Sequence, residues 1–169
     1  MAFQPLIDCF FRRPRLVYAL VTLWSVALLL FGLYLQHVEG LEPCPMCIVQ
    51  RYALMGVALV AALLAAAGRP GAYRWGGLLM VLVAGFGAVT AARQSWLQWF
   101  PPEVYSCGRD FYGMIESFPL RRAIPMIFRG SGDCTQIDWT FLGLSIANWS
   151  FLNFIAMAVV ALLLVFRRR

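Results

Sequence analysis

The strongest constraint on this chain is a set of four apolar runs, each long enough to cross a lipid bilayer. They cover residues 16–35, 48–67, 75–92 and 149–166. A helix rises about 1.5 Å per residue and bilayer hydrocarbon is roughly 30 Å thick, so each run can span it. A spanning backbone must satisfy its own hydrogen bonds, which helices do. We therefore predict an all-α membrane protein, with residues 1–169 forming one four-helix transmembrane bundle.

Arginines beside these runs indicate which side of the membrane each connection faces. The chain has fourteen arginines and no lysine, and groups of them lie in residues 1–15, 68–74 and 167–169. Positive charge marks the cytoplasmic side, so both termini and the middle connection are predicted to be cytoplasmic. The outer loops are then residues 36–47 and 93–148. Because the arginines flank apolar runs, they indicate membrane orientation and argue against a nucleic-acid partner.

The five cysteines are distributed unevenly across this topology. Cys44 and Cys47 lie in the first outer loop, Cys107 and Cys134 in the second, and Cys9 in the cytoplasmic tail. If the membrane is a bacterial inner membrane, the outer loops face the periplasm, which is oxidising. Cysteines there are normally paired, whereas Cys9 would normally be reduced.

The Cys-Pro-Met-Cys motif at residues 44–47 is better suited to thiol–disulfide exchange than to structural cross-linking. Closing so small a ring removes little entropy from the unfolded chain. The motif directly precedes the apolar run at Ile48, so both sulfurs should lie at the N-terminus of a transmembrane helix, which favours thiolate. A zinc ribbon would need a second close pair, yet 26 residues separate Cys107 from Cys134.

The second pair, Cys107 and Cys134, is open to two interpretations. A disulfide between them would close a loop of 28 residues. On the chain-entropy model such a closure stabilises a fold by about 3.5 kcal/mol, which is enough for a purely structural role. The residues alone leave a structural clamp and an exchange pair as alternatives.

Arg51 is the one charged residue within the four apolar runs. A charge inside a span costs a few kcal/mol and points to a functional site. Arg51 follows Cys47 by four residues, so it should lie on the same helix face, about one turn deeper. There it could stabilise a thiolate or the anionic form of a reduced, lipid-borne acceptor. The alternative is that its side chain extends to the lipid headgroups.

The segment 114–128 of the second outer loop mixes large apolar side chains with two arginines. Pro119 and Pro125 interrupt it, and it is too short to span the bilayer. We predict that it lies on the outer leaflet, so that the second loop is partly interfacial. An ordinary ordered loop is the alternative.

Several stretches of sequence resemble the DsbB family of disulfide bond formation proteins. Residues 44–51 read C-P-M-C-I-V-Q-R, matching the family pattern C-x-x-C-x-x-Q-R at the start of the second helix. Further matches are G-S-G-D-C at 130–134, Trp139, F-L-G-L-S at 141–145, and Cys107-Gly108 and Phe118-Pro119-Leu120 in the expected order. The resemblance covers nearly the whole chain.

The resemblance implies a reaction. Members of the family reoxidise DsbA, a thioredoxin-like oxidant of the periplasm, and pass two electrons to ubiquinone or menaquinone in the inner membrane. By position, the partner would attack Cys107 and release Cys134. A disulfide between Cys44 and Cys47 would then reoxidise the outer pair, and electrons would reach quinone through Cys47, beside Arg51.

One position departs from the family pattern. Near the outer end of the third helix the family often has a histidine, proposed to contact quinone, in Arg-His-x-Trp; here the string at 93–96 is Arg-Gln-Ser-Trp. Gln94 can hydrogen-bond a quinone oxygen but cannot donate a proton as an imidazolium does. We expect Gln94 to be a quinone contact without an acid role.

Two other classes of protein are alternatives to the thiol oxidase. A tetraspan scaffold with purely structural disulfides accounts for Cys107 and Cys134, but not for Arg51 or the tight C-x-x-C ring. A reductase resembling the vitamin K epoxide reductase group would carry its C-x-x-C late in the chain, after the loop cysteines. Here the motif comes first, which favours the DsbB-like interpretation.

Overall fold

The computed structural model of the chain describes residues 13–101 and 134–166. Its helices are α1 (Pro14–His37), α2 (Pro45–Ala67), α3 (Pro70–Trp99) and α4 (Ile146–Phe166). A short hairpin, β1 (Thr140–Phe141) and β2 (Leu144–Ser145), precedes α4. Cys9, Cys107 and the segment 114–128 lie outside the described residues.

All four helices in the described part of the chain are long and apolar enough to cross a membrane. Helix α1 packs against α2, α2 against α3, and α3 against α4. Their shared core is built largely of small and flexible side chains, including Ala53, Val57, Met80, Ala84 and Ala88. Small residues let helix backbones approach closely in lipid. The predicted four-helix bundle is confirmed.

Local sequence sets where α2 begins and ends. Cys44 is the N-cap, and its sulfur accepts a hydrogen bond from the Cys47 amide. Pro45 follows in the first turn, where a missing N–H costs nothing. The helix ends at Gly68, whose φ of 62° is left-handed. The Arg15 guanidinium donates to the Ala65 and Ala66 carbonyls, which ties α1 to this end of α2.

Helix α3 continues beyond its apolar run, as far as Trp99. Its last turns keep one face buried through Ala91, Gln94 and Leu97. The helical ladder satisfies the backbone there, and the side chains of Gln94 and Gln98 find partners on neighbouring elements. Gln94 therefore lies within a helix packed on α2.

The hairpin before α4 was not anticipated from the sequence. Thr140 pairs with Ser145 and Phe141 with Leu144 in an antiparallel register. The turn residues Leu142 and Gly143 both have positive φ, 51° and 78°. A two-residue hairpin turn with this geometry matches the twist of its strands, although leucine is strained there.

The contact between α3 and α4 provides a stability test. A methyl group at Gly87 would lie 2.5 Å from the ring of Phe154, which is buried, whereas one at Gly85 would meet nothing within 4 Å. We expect Gly87→Ala to destabilise the protein by about 1–3 kcal/mol, because this core has no room for the added carbon. Gly85→Ala is the matched control. Thermal unfolding in detergent should lower Tm for the first variant only, and equal Tm values would contradict this packing.

Candidate redox site

Three cysteine sulfurs meet at the N-terminal end of α2. The Cys44 and Cys47 thiols lie 2.9 Å apart, and Cys44 is also hydrogen-bonded to Cys134. Cys44 and Cys134 are buried against Met46 and Leu97, while Cys47 is half-buried. The cluster joins the first turn of a transmembrane helix to the end of the second outer loop. Cys44 is the sulfur that contacts both of the others.

The surroundings of Cys44 favour its protonated form. Hydrogen bonding with Cys134, then with Cys47, together with burial, raises the pKa of the Cys44 thiol above its ordinary value. A buried thiol in such contacts keeps its proton because the charged form would lose solvation. Charge in the motif is therefore better accommodated on another sulfur.

Gln94 of α3 reaches both sulfurs of the motif. Its Nε2 lies 3.2 Å from Cys47 Sγ and 3.4 Å from Cys44 Sγ. Its Oε1 accepts a hydrogen bond of 2.7 Å from Nε2 of Gln50, one turn after Cys47 on α2. Both glutamine side chains are buried. An amide N–H directed at Cys47 stabilises negative charge on that sulfur.

The Arg51 guanidinium is turned toward α1. It donates to Oε1 of Gln36 at 2.5 Å and to the Gly32 carbonyl at 2.9 Å. These bonds hold the side chain against α1. Its charge lies beside a large cavity.

A cavity of about 660 Å³ opens beside the sulfur cluster. Its wall includes Cys47, Arg51 and Gln94, and most of the remainder is apolar. Helices α1 and α4 both line it, and the Trp24 indole of α1 donates to Asn153 of α4 at 2.9 Å. Ligand pockets of this kind, mostly apolar with a few convergent polar groups, have volumes of roughly 300–1,000 Å³.

Aromatic rings form a continuous row on the outer side of this cavity wall. Phe31 packs edge-on against Trp139 at 5.8 Å, and Trp139 stacks on Phe141 at 6.1 Å. Trp149 is 6.1 Å beyond Phe141 and donates to its carbonyl. The row ties α1 to the hairpin and to α4, so the residues after Cys134 help to enclose the cavity.

A polar tie holds the Cys134 segment to α3. Gln98 Nε2 donates to the Gln136 carbonyl at 3.4 Å, and the Ser145 hydroxyl donates to Gln98 Oε1 at 2.6 Å. Ser145 Oγ in turn accepts from the Asn148 amide in the first turn of α4. Gln98 thus connects α3, the Cys134 segment and the hairpin.

Comparison with known proteins decides the family. The family model "Disulfide bond formation protein DsbB" matches residues 14–164. A relative from Polaromonas sp. strain JS666, named Disulfide bond formation protein B, is 71% identical over 158 residues, which is 94% of each chain. A protein of the same name from Albidiferax ferrireducens is 61% identical over 168 residues, covering 99% of this chain and 97% of the relative.

The chain belongs to the DsbB family. The family is named for disulfide bond formation, and the four apolar helices agree with a multi-pass membrane protein. The resemblance drawn from residues 44–51 and from the second outer loop is therefore confirmed.

The predicted site residues of this DsbB-family protein converge within the described residues. Cys44 contacts Cys47, Cys134 and Gln94, and Gln94 also contacts Cys47. Arg51 lines the cavity that Cys44, Cys47 and Gln94 border. Cys107 lies outside the described residues, so its place in the relay stays a prediction. Sequence reasoning missed the roles of Gln50 and Gln98. The Gln50 amide is buried near Cys47, and only its place in the C-x-x-C-x-x-Q-R motif could have drawn attention to it. The Gln98 amide bridges α3 to the residues after Cys134, and only its place one turn after Gln94 could have done so.

The sulfur geometry predicts which pair can be trapped. A chain retaining only Cys44 and Cys134, with the other cysteines changed to serine, should form an intramolecular disulfide rapidly under mild oxidation. The matched chain retaining only Cys47 and Cys134 should react more slowly, because Cys44 is the one in direct contact with Cys134. Non-reducing mass spectrometry measures both rates, and equal rates would contradict the arrangement.

Proposed function

We propose that this protein oxidises a DsbA-like, thioredoxin-like dithiol protein of the periplasm and passes the two electrons to membrane quinone. The quinone is ubiquinone or menaquinone, and the protein is set in the bacterial inner membrane with its active cysteines facing the periplasm. One observation carries this proposal. Cys44 contacts Cys134 on one side and Cys47 on the other, and Cys47 borders an apolar cavity.

The first half of the relay exchanges one disulfide for another. A thiolate of the partner attacks Cys107 in a Cys107–Cys134 disulfide, and Cys134 leaves as a thiolate. The second thiolate of the partner attacks the mixed disulfide, so the partner departs oxidised. Cys107 and Cys134 now hold the two electrons as thiols.

The second half transfers these electrons to the helix motif. The Cys134 thiolate attacks Cys44 of a Cys44–Cys47 disulfide, and Cys47 leaves as a thiolate. The contact between Cys44 and Cys134 supports this direction of attack. Cys107 then attacks the Cys44–Cys134 disulfide, which restores the outer pair and leaves Cys44 and Cys47 reduced. No electron is lost, and one disulfide has been moved from the motif to the partner.

The residues around the cavity fit a quinone as the group that reoxidises Cys44 and Cys47. Quinone, when bound, supplies an acceptor for two electrons and two protons. The volume and apolar wall suit a ring with a lipid tail, while Arg51 offers a cation to oxygen atoms. We propose Gln94 as a second contact, next to Cys47. In this structure its amide hydrogens point to the sulfurs and its Oε1 accepts from Gln50 and, at 3.7 Å, from Cys47, so one amide hydrogen would turn from a sulfur to donate to a quinone oxygen.

The relay predicts two inactive variants. Cys107→Ser removes the atom that the partner attacks, and Cys47→Ser removes the sulfur at the cavity, so each should abolish turnover. Cys9→Ser is the control and should retain activity, because Cys9 has no part in the relay. Turnover is followed with purified protein in detergent, reduced DsbA and ubiquinone-1. Full activity of either of the first two variants would exclude the two-pair relay.

The same assay tests the overall reaction by its stoichiometry. Two partner thiols should disappear for each quinone reduced, with partner thiol content and quinone absorbance followed together. If neither ubiquinone nor menaquinone is reduced by the intact, folded protein, a scaffold with structural disulfides becomes the better account.

Arg51 is predicted to act through its charge. Arg51→Ala should raise the apparent KM for quinone, because a cation beside the cavity favours reduced, anionic quinone. Arg51→Lys keeps the charge and should raise KM less. Gln36→Leu removes one hydrogen-bond partner of Arg51 without removing the cation, and so controls for the lost tie to α1. An unchanged KM in Arg51→Ala would leave Arg51 with a structural role only.

A further inference from the structure

The side chain of Gln94 is held in one of its two amide orientations. An amide presents an oxygen at one end and an NH₂ group at the other, so fixing one end fixes both. The Gln50 Nε2 donates to the oxygen at 2.7 Å. The nitrogen is therefore the end nearer to the motif, donating to Cys47 Sγ at 3.2 Å, while the oxygen accepts a longer hydrogen bond of 3.7 Å from the Cys47 thiol.

This orientation decides the sign of the interaction with Cys47. An N–H group directed at sulfur stabilises a thiolate, while a carbonyl oxygen in the same place would repel it. Within the described residues, Gln50 bonds to Gln94 and not to a sulfur, so it can influence Cys47 through the Gln94 amide. Both amides are about 95% buried, at 6% and 4% exposure, so water competes little for either end.

We propose that Gln50 is a positioning residue that holds the NH₂ group of Gln94 toward the Cys44–Cys47 pair. By doing so it stabilises the negative charge that appears on Cys47 when that disulfide is opened. The inference deepens the proposed function, because it rests on Cys47 leaving as a thiolate during turnover. It assigns separate tasks to two glutamines: Gln94 contacts the reacting sulfur, and Gln50 selects which end of Gln94 does so.

A purely structural explanation exists and makes a different prediction. The bond from Gln50 to Gln94 crosses from α2 to α3, and hydrogen bonds between membrane helices stabilise bundles modestly. If that were its whole role, losing it would lower stability without specifically changing the chemistry of Cys47. The two explanations separate on a measurement of thiolate reactivity.

The test is a double-mutant cycle on the reduced, full-length protein in detergent without quinone or partner. The rate of Cys47 alkylation by iodoacetamide at pH 7 is followed by tandem mass spectrometry, which distinguishes Cys47 from Cys44. We expect Gln94→Met to slow alkylation roughly tenfold, because a hydrogen bond to a charged group contributes about that factor. Gln50→Met should slow it in the same direction. The double variant should be no slower than Gln94→Met, because Gln50 acts through Gln94.

Thr90→Val is the matched control for loss of a buried polar group on α3. The Thr90 hydroxyl is buried and bonds to the Phe86 carbonyl of its own helix. The rate of Cys47 alkylation in Thr90→Val should equal that in the unaltered protein. If Gln50→Met does not fold, Gln50→Asn offers the same test, because its shorter amide cannot maintain the 2.7 Å bond.

Three results would overturn the proposal: an unchanged rate in Gln50→Met, independent multiplication of the two effects in the double variant, or equal slowing by Thr90→Val. These outcomes are distinct from failure of the oxidase itself. A protein that reduces no quinone can still show a double variant no slower than Gln94→Met, which supports the proposal. An active oxidase can still show independent effects of the two substitutions, which contradicts it.

Discussion

Every feature of this protein depends on the cost of leaving a backbone polar group unbonded in hydrocarbon. That cost forces the spanning segments into helices and confines loops to the two membrane surfaces. It also means that a helix N-terminus inside the protein presents amides that need partners. At α2 the partner is the Cys44 sulfur, which accepts from the Cys47 amide. The constraint that builds the bundle thus also places a redox motif at its edge.

The polar side chains among the helices serve four separate purposes. Arg15 caps the last carbonyls of α2, and Arg51 ties α1 to α2 beside the cavity. The glutamine pair near Cys47 bridges α2 and α3, and Gln98 joins α3 to the end of the outer loop. A fully apolar bundle would leave the sulfurs without donors and the residues after Cys134 without an anchor.

The sequence predicted the fold because membrane thickness and hydrophobic length are local properties. It also singled out Cys44, Cys47, Cys134 and Arg51, since charge and sulfur are conspicuous against an apolar background, while the pairing of Cys107 with Cys134 stays a prediction. The partners of these groups were less accessible. Gln50 and Gln98 look like ordinary helix residues. The role of Gln50 follows from the approach of α2 and α3, and that of Gln98 from the approach of the hairpin to α3. The hairpin at 140–145 was missed because leucine at a positive φ gives no turn signal.

The capping role of Cys44 links sulfur chemistry to the order of the first helical turn. As a thiol, Cys44 uses its lone pairs to accept from the Cys47 amide. When that sulfur joins another in a covalent bond, its direction is set by bond geometry instead of by the helix. We therefore expect the rate of hydrogen exchange at the Cys47 amide to differ between the oxidised and the reduced motif. In this protein one atom, the sulfur of Cys44, both caps the helix and takes part in the proposed exchange.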